Sequence, residues 1–152
     1  MQKKILSILF FIFLITSLNA KLVVTYTHGE KVDSIKLNFA KTEFSKYLKV
    51  AIYNSRIKQS IFNIKLIKKG DNQNGHFGYT INSNGNLVNI ICVGEDESAI
   101  GHALYTILEN LGFQFDITGV VVPNVFNTGL FKNDKQSIIP FTRWRGIRQH
   151  VN

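Results

Sequence analysis

Residues 93–115 read VGEDESAIGHALYTILENLGFQF, and they predict a strand, a helix and a second strand in succession. An apolar strand ends at Gly94 and three acidic residues follow. Asp96 or Ser98 can cap the start of the helix, and Gly112 stands where a left-handed residue commonly ends one. The helix buries one face, because its apolar residues recur at the helical spacing: Ile100, Ala103, Leu104, Ile107, Leu108 and Leu111.

The flanking sequence supplies the elements that must cover this unit. A strand is predicted at 21–27, an amphipathic helix at 34–53, a half-buried strand at 62–68, and a hairpin of strands 78–81 and 87–93 with Asn84-Gly85 at its tip. The order β, α, β, β, β, α, β predicts an α+β fold. We expect two layers: a mixed sheet of about five strands, and two helices packed on one face of it. A doubly wound nucleotide-binding fold is disfavoured, because the turn after the first strand contains the single glycine Gly29.

The first twenty residues have the order of a secretory signal peptide. Lys3 and Lys4 precede an apolar run at 5–15, and the small residue Ala20 closes the segment. The run is short for a bilayer span, so we expect export to the periplasm or the cell exterior without a stable membrane anchor. An uncleaved anchor is the alternative. Cys92 is the only cysteine, so we expect no internal disulfide, and its apolar strand predicts a buried thiol rather than a nucleophile.

The charge and the titratable residues argue against several classes of function. The formal net charge is +8, but the basic residues are scattered and no nucleic-acid-binding motif is present, so nucleic acid is not an expected partner. The four histidines share no metal spacing, and we expect no metal and no cofactor. Glycoside cleavage needs two carboxylates, and no pair stands out among the candidates, which are Glu95, Asp96, Glu97, Glu109 and Asp116. Whether the chain belongs to an enzyme is therefore uncertain, and the chain itself is expected to lack a catalytic pair.

Three segments carry a resemblance to a known group of proteins. Residues 39–48 (FAKTEFSKYL) and 103–115 (ALYTILENLGFQF) resemble the two helices of the small N-terminal α/β domain of bacterial glycoside hydrolases, of the family-20 hexosaminidase and α-glucuronidase type. Residues 141–152 (FTRWRGIRQHVN) resemble the first strand of the catalytic barrel that follows that domain. The resemblance implies that Arg145 binds a hydroxyl of the substrate sugar in the complete enzyme. It diverges after Gly146, where family 20 usually has Leu-Asp.

These observations predict a domain organisation. Residues 1–20 are a signal peptide, 21–122 an accessory α/β domain, 123–140 a linker, and 141–152 the first strand of a (β/α)₈ barrel that is missing from this chain, since such a barrel needs about 250 residues. A final strand that returns to the same sheet is the alternative for 141–152.

Two functions are consistent with this organisation. In the first, the chain is the non-catalytic N-terminal domain of an exported glycoside hydrolase, which packs against its own barrel and stabilises it, and the glycan is a partner of the complete enzyme. In the second, it is a standalone exported module that binds a glycan or a protein. Exposed aromatic residues on one sheet face would favour the second, and Phe77, Tyr79 and Trp144 are the residues to test.

Overall fold

A mixed five-stranded sheet forms one layer of the protein. The structure, a computed structural model, describes residues 22–55, 61–70, 75–116 and 118–139. Its strands are β1 (Val23–His28), β2 (Ile61–Lys68), β3 (Phe77–Asn84), β4 (Leu87–Gly94), β5 (Gln114–Asp116), β6 (Gly119–Val121) and β7 (Asp134–Ile138). Its helices are α1 (Asn38–Ser55) and α2 (Glu97–Leu111), and a 3₁₀ helix spans Thr128–Lys132.

The strand order of the main sheet is β1-β2-β4-β3-β7. Strands β1, β2 and β4 run parallel to one another, whereas β3 is antiparallel to both β4 and β7. Helix α1 connects the parallel pair β1 and β2, and β3 and β4 form the predicted hairpin, with Gly85 at a positive φ of 61° in its turn. The predicted α+β class is confirmed. Residues 87–93 (LVNIICV) are apolar on both faces apart from Asn89, which indicates a central strand, and β4 is the middle strand of the sheet.

Both helices lie on one face of this sheet. Alternate residues of β2 and β4 point into the layer between sheet and helices and are fully buried; they are Phe62, Ile64, Leu66, Val88, Ile90 and Cys92. The intervening residues Asn63, Lys65 and Asn89 are exposed on the opposite face. Within the described ranges, therefore, both helices cover one face of the sheet, and the opposite face mixes these polar side chains with half-buried Ile67, Ile91 and Val93.

The predicted caps and apolar stripe of α2 are confirmed. The Asp96 carboxylate accepts a hydrogen bond from the backbone N–H of Ala99 over 2.7 Å, and Gly112 ends the helix at a φ of 110°. The six stripe residues have no exposed surface. Helix α2 thus sits on β3 and β4 with its whole apolar face buried. Neither of the two described helices is long and apolar enough to span a bilayer.

The junction between β4 and α2 leaves no room for a side chain at Gly94. A Cβ atom built there would lie 2.5 Å from the backbone nitrogen of Ile100 and 2.8 Å from the carbonyl carbon of Ala99. Both neighbours are backbone atoms of the first turn of α2, which cannot move without displacing the helix. The chain therefore needs glycine at the point where the central strand passes under the helix.

Helix α1 begins later than its pattern indicated. The prediction placed its start near residue 34, but the helix begins at Asn38. The Asp33 carboxylate accepts a hydrogen bond from the backbone N–H of Ile35, which holds residues 33–35 in a turn instead of a first helical turn. The apolar stripe itself is as predicted, since Leu37, Phe44, Tyr47, Leu48 and Ala51 are buried.

The fifth strand of the sheet is not the strand that the sequence indicated. The predicted strand at 113–117 forms β5, which pairs only with β6 in a separate two-stranded sheet. Strand β7 completes the main sheet instead, and it lies inside the segment 123–140 that was interpreted as a linker. That interpretation is wrong for the described part of the segment. A short polar strand at a sheet edge lacks the alternating apolar residues by which a strand is found in a sequence.

Strand β7 is held in place by a polar network and by one aromatic contact. The Tyr79 hydroxyl donates to the Asp134 carboxylate over 2.7 Å. The Asn110 amide donates to the Tyr79 hydroxyl over 2.7 Å and to the Gln136 side chain over 2.8 Å. Burial and the neighbouring Asp134 carboxylate raise the pKa of Tyr79 well above its ordinary value. The buried Phe131 ring, just before β7, packs edge-on against Phe62.

Replacing Gly94 by alanine should destabilise the fold, because the new methyl group overlaps the backbone of α2. We expect the Gly94→Ala change to lower the free energy of unfolding by about 2–4 kcal/mol in urea denaturation. Gly101→Ala is the matched control. Its methyl group would meet only the Ala40 side chain at an ordinary 3.7 Å, and alanine favours a helix by about 1 kcal/mol over glycine. Equal losses in the two variants would contradict the close-approach explanation.

Candidate functional site

The charged edge of the sheet lies where the parallel strands end. Because β1, β2 and β4 run in the same direction, their carboxyl ends meet at one side, where ligands commonly bind in α/β sheets. Lys68 of β2 lies in register with Gly94 of β4. The acidic run 95–97 follows Gly94 directly, so the tertiary structure brings it next to the basic end of β2.

Glu97 is the best-connected carboxylate of this edge. One carboxylate oxygen accepts a hydrogen bond from the backbone N–H of Asp33 over 3.2 Å, and the other lies 3.7 Å from the Lys68 ammonium group. Burial by itself would raise the pKa of Glu97. The backbone N–H groups of Asp33 and of Glu97 itself, with Lys68 and Lys36, outweigh burial and hold that pKa below its ordinary value. Glu97 therefore ties the β1–α1 connection to β2 and α2.

Glu95 lines a depression at the same edge of the sheet. Its side chain is buried, and its backbone N–H donates to the carbonyl of His76 over 3.1 Å. The Glu95 carboxylate lies 3.9 Å from Nδ1 of His76. The depression encloses about 280 Å³, and Lys69 and Ser137 also line it. These contacts join the entrance of β3 to the exit of β4.

The other candidate carboxylates have local roles or none. Asp96 caps α2. The Asp116 carboxylate accepts hydrogen bonds from the Thr118 hydroxyl and from the backbone N–H groups of Thr118 and Gly119. These bonds, above all the one from the hydroxyl, lower the pKa of Asp116. Glu109 is exposed on the outer side of α2. Four of the five candidate carboxylates thus have a structural partner: each accepts a hydrogen bond from the backbone or forms an ion pair. Within the described residues, Glu109 is the exception.

The structure also shows where the cysteine and a histidine lie that were considered as a nucleophile and a metal ligand. Cys92 is fully buried, and burial raises the pKa of its thiol far above the ordinary value. The His102 ring packs against the Phe77 ring with the centroids 5.7 Å apart. In the part of the chain that the structure describes, no three His, Cys, Asp or Glu side chains come close enough to hold a metal ion.

A groove lies on the outer surface of the helical layer. It encloses about 610 Å³ between the amino-terminal halves of α1 and α2, and Phe39, Ser98, His102 and Tyr105 are among its lining residues. The two helices approach closely here because Gly101 faces Ala40. Burial raises the pKa of Tyr105, whose side chain is half-buried at this groove.

Two apolar side chains are exposed here: Phe39 lines the groove, and Ile35 directly precedes the lining residue Lys36. Ile35 is 84% exposed and Phe39 is 72% exposed. Farther along the helices, Tyr105 packs edge-on against Phe115 and Tyr47 against the same ring. We call the surface formed by Ile35, Phe39, Tyr105 and Phe115 the outer helical surface. Isolated exposed apolar residues are common, but several beside a groove indicate a surface that another molecule or domain covers.

The sequence did contain a signal for this surface. Phe39 lies off the buried stripe of α1, on the side of the helix that was expected to be polar. Ile35 comes just before the helix and was placed inside it by the prediction.

The aromatic residues proposed for a glycan-binding sheet face do not form one. Phe77 and Tyr79 are buried between sheet and helices, so neither ring is available to a ligand on the solvent-facing side. Trp144 and Arg145 lie outside the described residues, as do the predicted signal peptide at 1–20 and the predicted barrel strand at 141–152.

Comparison of the chain with protein-family models and with curated proteins found no match in either. The class that the structure defines is a two-layer α+β domain with both helices on one face of a mixed sheet. Any statement about function therefore depends on the sequence resemblance to glycoside hydrolase accessory domains, and it is a proposal.

Replacing Glu97 by glutamine tests the ion pair at the sheet edge. We expect Glu97→Gln to lower the free energy of unfolding near pH 7 by about 1–2 kcal/mol, because the Lys68 ammonium group and the Asp33 N–H lose a charged partner. Since the folded-state pKa is lowered, the contribution of Glu97 is complete above its ordinary pKa of 4.5 and disappears as pH falls through the folded value.

Urea denaturation of both proteins from pH 7 to pH 3 measures this difference. Glu109→Gln removes the same charge from an exposed position of the same helix, and it should change stability by less than about 0.5 kcal/mol throughout. A difference between wild type and Glu97→Gln that stayed constant across the acid range would rule out the ionised carboxylate as its source.

Proposed function

We propose that this chain is the N-terminal, non-catalytic domain of an exported glycoside hydrolase of the hexosaminidase or glucuronidase type. Its role is to pack against the catalytic barrel and to stabilise it. The proposal rests on the resemblance of residues 39–48, 103–115 and 141–152 to such proteins. The signal-like segment at 1–20 supports export to the periplasm or the cell exterior. Substrate contact falls to Arg145 in the complete enzyme, and the catalytic carboxylates belong to the barrel.

The outer helical surface is the observation that carries the proposal. A domain that works alone tends to present polar side chains around its helices, whereas a domain that packs on a neighbour keeps an apolar patch for it. Here Phe39 and Ile35 stand exposed beside a groove of about 610 Å³. The open face of the sheet mixes exposed Asn63 and Lys65 with half-buried apolar side chains such as Ile91, which are less exposed than Phe39 and Ile35. We therefore expect the barrel on the helical side.

The intact mass of the native exported protein tests the proposal directly. Mass spectrometry of the secreted or periplasmic protein should give a value several times the 17.3 kDa of this chain, since a catalytic barrel adds about 250 residues. A mature product of roughly 15 kDa, which is this chain without its signal peptide, would overturn the proposal.

A pair of surface variants tests where the barrel packs. In the native protein, Phe39→Asp should lower the temperature of thermal inactivation by several degrees, because it places a charge in a domain interface. Val125→Asp is the matched control, since Val125 is 84% exposed, against 72% for Phe39, but lies outside the outer helical surface, between β6 and the 3₁₀ helix. Equal behaviour of the two variants would contradict packing through the outer helical surface.

A further inference from the structure

The outer edge of β1 is the longest unpaired strand edge of the main sheet. Strand β1 is the first in the order β1-β2-β4-β3-β7, and within the described ranges its only strand partner is β2. The backbone N–H of Gly29 donates to the carbonyl of Leu66 in β2. Because backbone groups of alternate residues point to opposite sides of a strand, Val24, Tyr26 and His28 direct their N–H and C=O groups away from the sheet.

The two edges of the sheet differ in how they are protected. Strand β7, at the far edge, has five residues and carries Asp134 and Lys135. Short length and charged side chains are the usual means by which an edge strand avoids pairing with another chain. Strand β1 has six residues, and Val23 to Thr27 include no charge, no proline and no glycine. Its β-branched and aromatic residues favour pairing with a further strand.

The sides of the β1 edge carry positive charge. On the helical side, the Lys41 ammonium group lies 3.4 Å from Nε2 of His28 and 6.0 Å from the centre of the Tyr26 ring. On the open side, the exposed Lys65 lies in register with Thr27. Among the described residues, no carboxylate lies within ion-pair distance of either lysine. Within the described part of the chain, the edge therefore combines a row of backbone donors and acceptors with two lysines that have no carboxylate partner.

We propose that the outer edge of β1 is a docking site for an extended, acidic polypeptide segment of another protein, which binds as an additional strand of the sheet. The row of backbone groups at Val24, Tyr26 and His28 recognises an extended backbone, which is the partner in strand addition. Lys41 and Lys65 select acidic side chains on the segment, because a basic segment would meet like charge on both sides. This site is separate from the outer helical surface and does not depend on the proposed function.

Binding of a labelled peptide to the full chain tests the proposal. In the peptide, glutamate alternates with valine over about nine residues, a common strand length. Fluorescence anisotropy at low ionic strength should show saturable binding. A peptide with lysine in place of glutamate, and a glutamate peptide methylated at every backbone nitrogen, should bind at least about tenfold more weakly. The methylated peptide needs no change in the protein, so its result does not depend on the folding of a variant.

Variants of the protein locate the bound peptide. Val24→Pro removes an outward-facing N–H that β2 does not use, a position where an edge strand tolerates proline, and it should abolish binding. Lys41→Glu should weaken binding about tenfold, because it reverses the charge beside the edge. Lys135→Glu makes the same charge change on β7, the opposite edge, and should leave affinity unchanged. Circular dichroism checks that each variant keeps the sheet and helices.

Several outcomes would overturn the proposal. They are no saturable binding of the glutamate peptide, equal binding of the methylated or lysine peptide, and equal effects of Lys41→Glu and Lys135→Glu. Concentration-dependent dimerisation that Val24→Pro abolishes would assign the edge to a second copy of this chain and would also exclude the proposed partner.

Discussion

The close contact between β4 and α2 is the constraint on which the rest of this structure depends. Strand β4 is central, and its inward residues Val88, Ile90 and Cys92 are fully buried beneath the helices. Helix α2 can lie that near only because Gly94 presents no side chain to its first turn. The burial of the apolar face of α2 then stabilises the layer, since each large apolar side chain removed from water contributes about 1.5–3 kcal/mol. Helix α1 packs beside α2, where Gly101 faces Ala40.

The acidic run 95–97 shows how charged residues can serve the fold instead of catalysis. Asp96 caps the helix, Glu97 joins three elements through Asp33 and Lys68, and Glu95 bonds to the start of β3 through His76. A helix start immediately after a buried strand leaves several N–H groups without helical partners, and acidic residues are well suited to that position. The chemical character of these residues therefore does not by itself indicate a catalytic centre. This agrees with the proposal that the catalytic carboxylates belong to a barrel.

Two surfaces remain that the fold does not use for its own packing. The outer helical surface is apolar and concave, which suits a neighbouring domain. The edge of β1 is a row of backbone groups flanked by lysines, which suits an extended acidic segment. The two surfaces differ in chemistry and share no residue, so a variant of one leaves the residues of the other unchanged.

The sequence by itself determined the elements whose periodicity is strong. The stripe and both caps of α2, the Asn-Gly hairpin, the central place of β4 and the two-layer α+β class could all be predicted, because local spacing encodes them. Only the tertiary structure decided that β7 completes the sheet, that β5 leaves it, and that Phe77 and Tyr79 face the core. A short polar edge strand depends on partners far away in the chain, such as Tyr79 and Asn110 for β7. The exposure of Phe39 and the meeting of Glu97 with Lys68 depend likewise on contacts between distant segments, which periodicity within one segment does not encode.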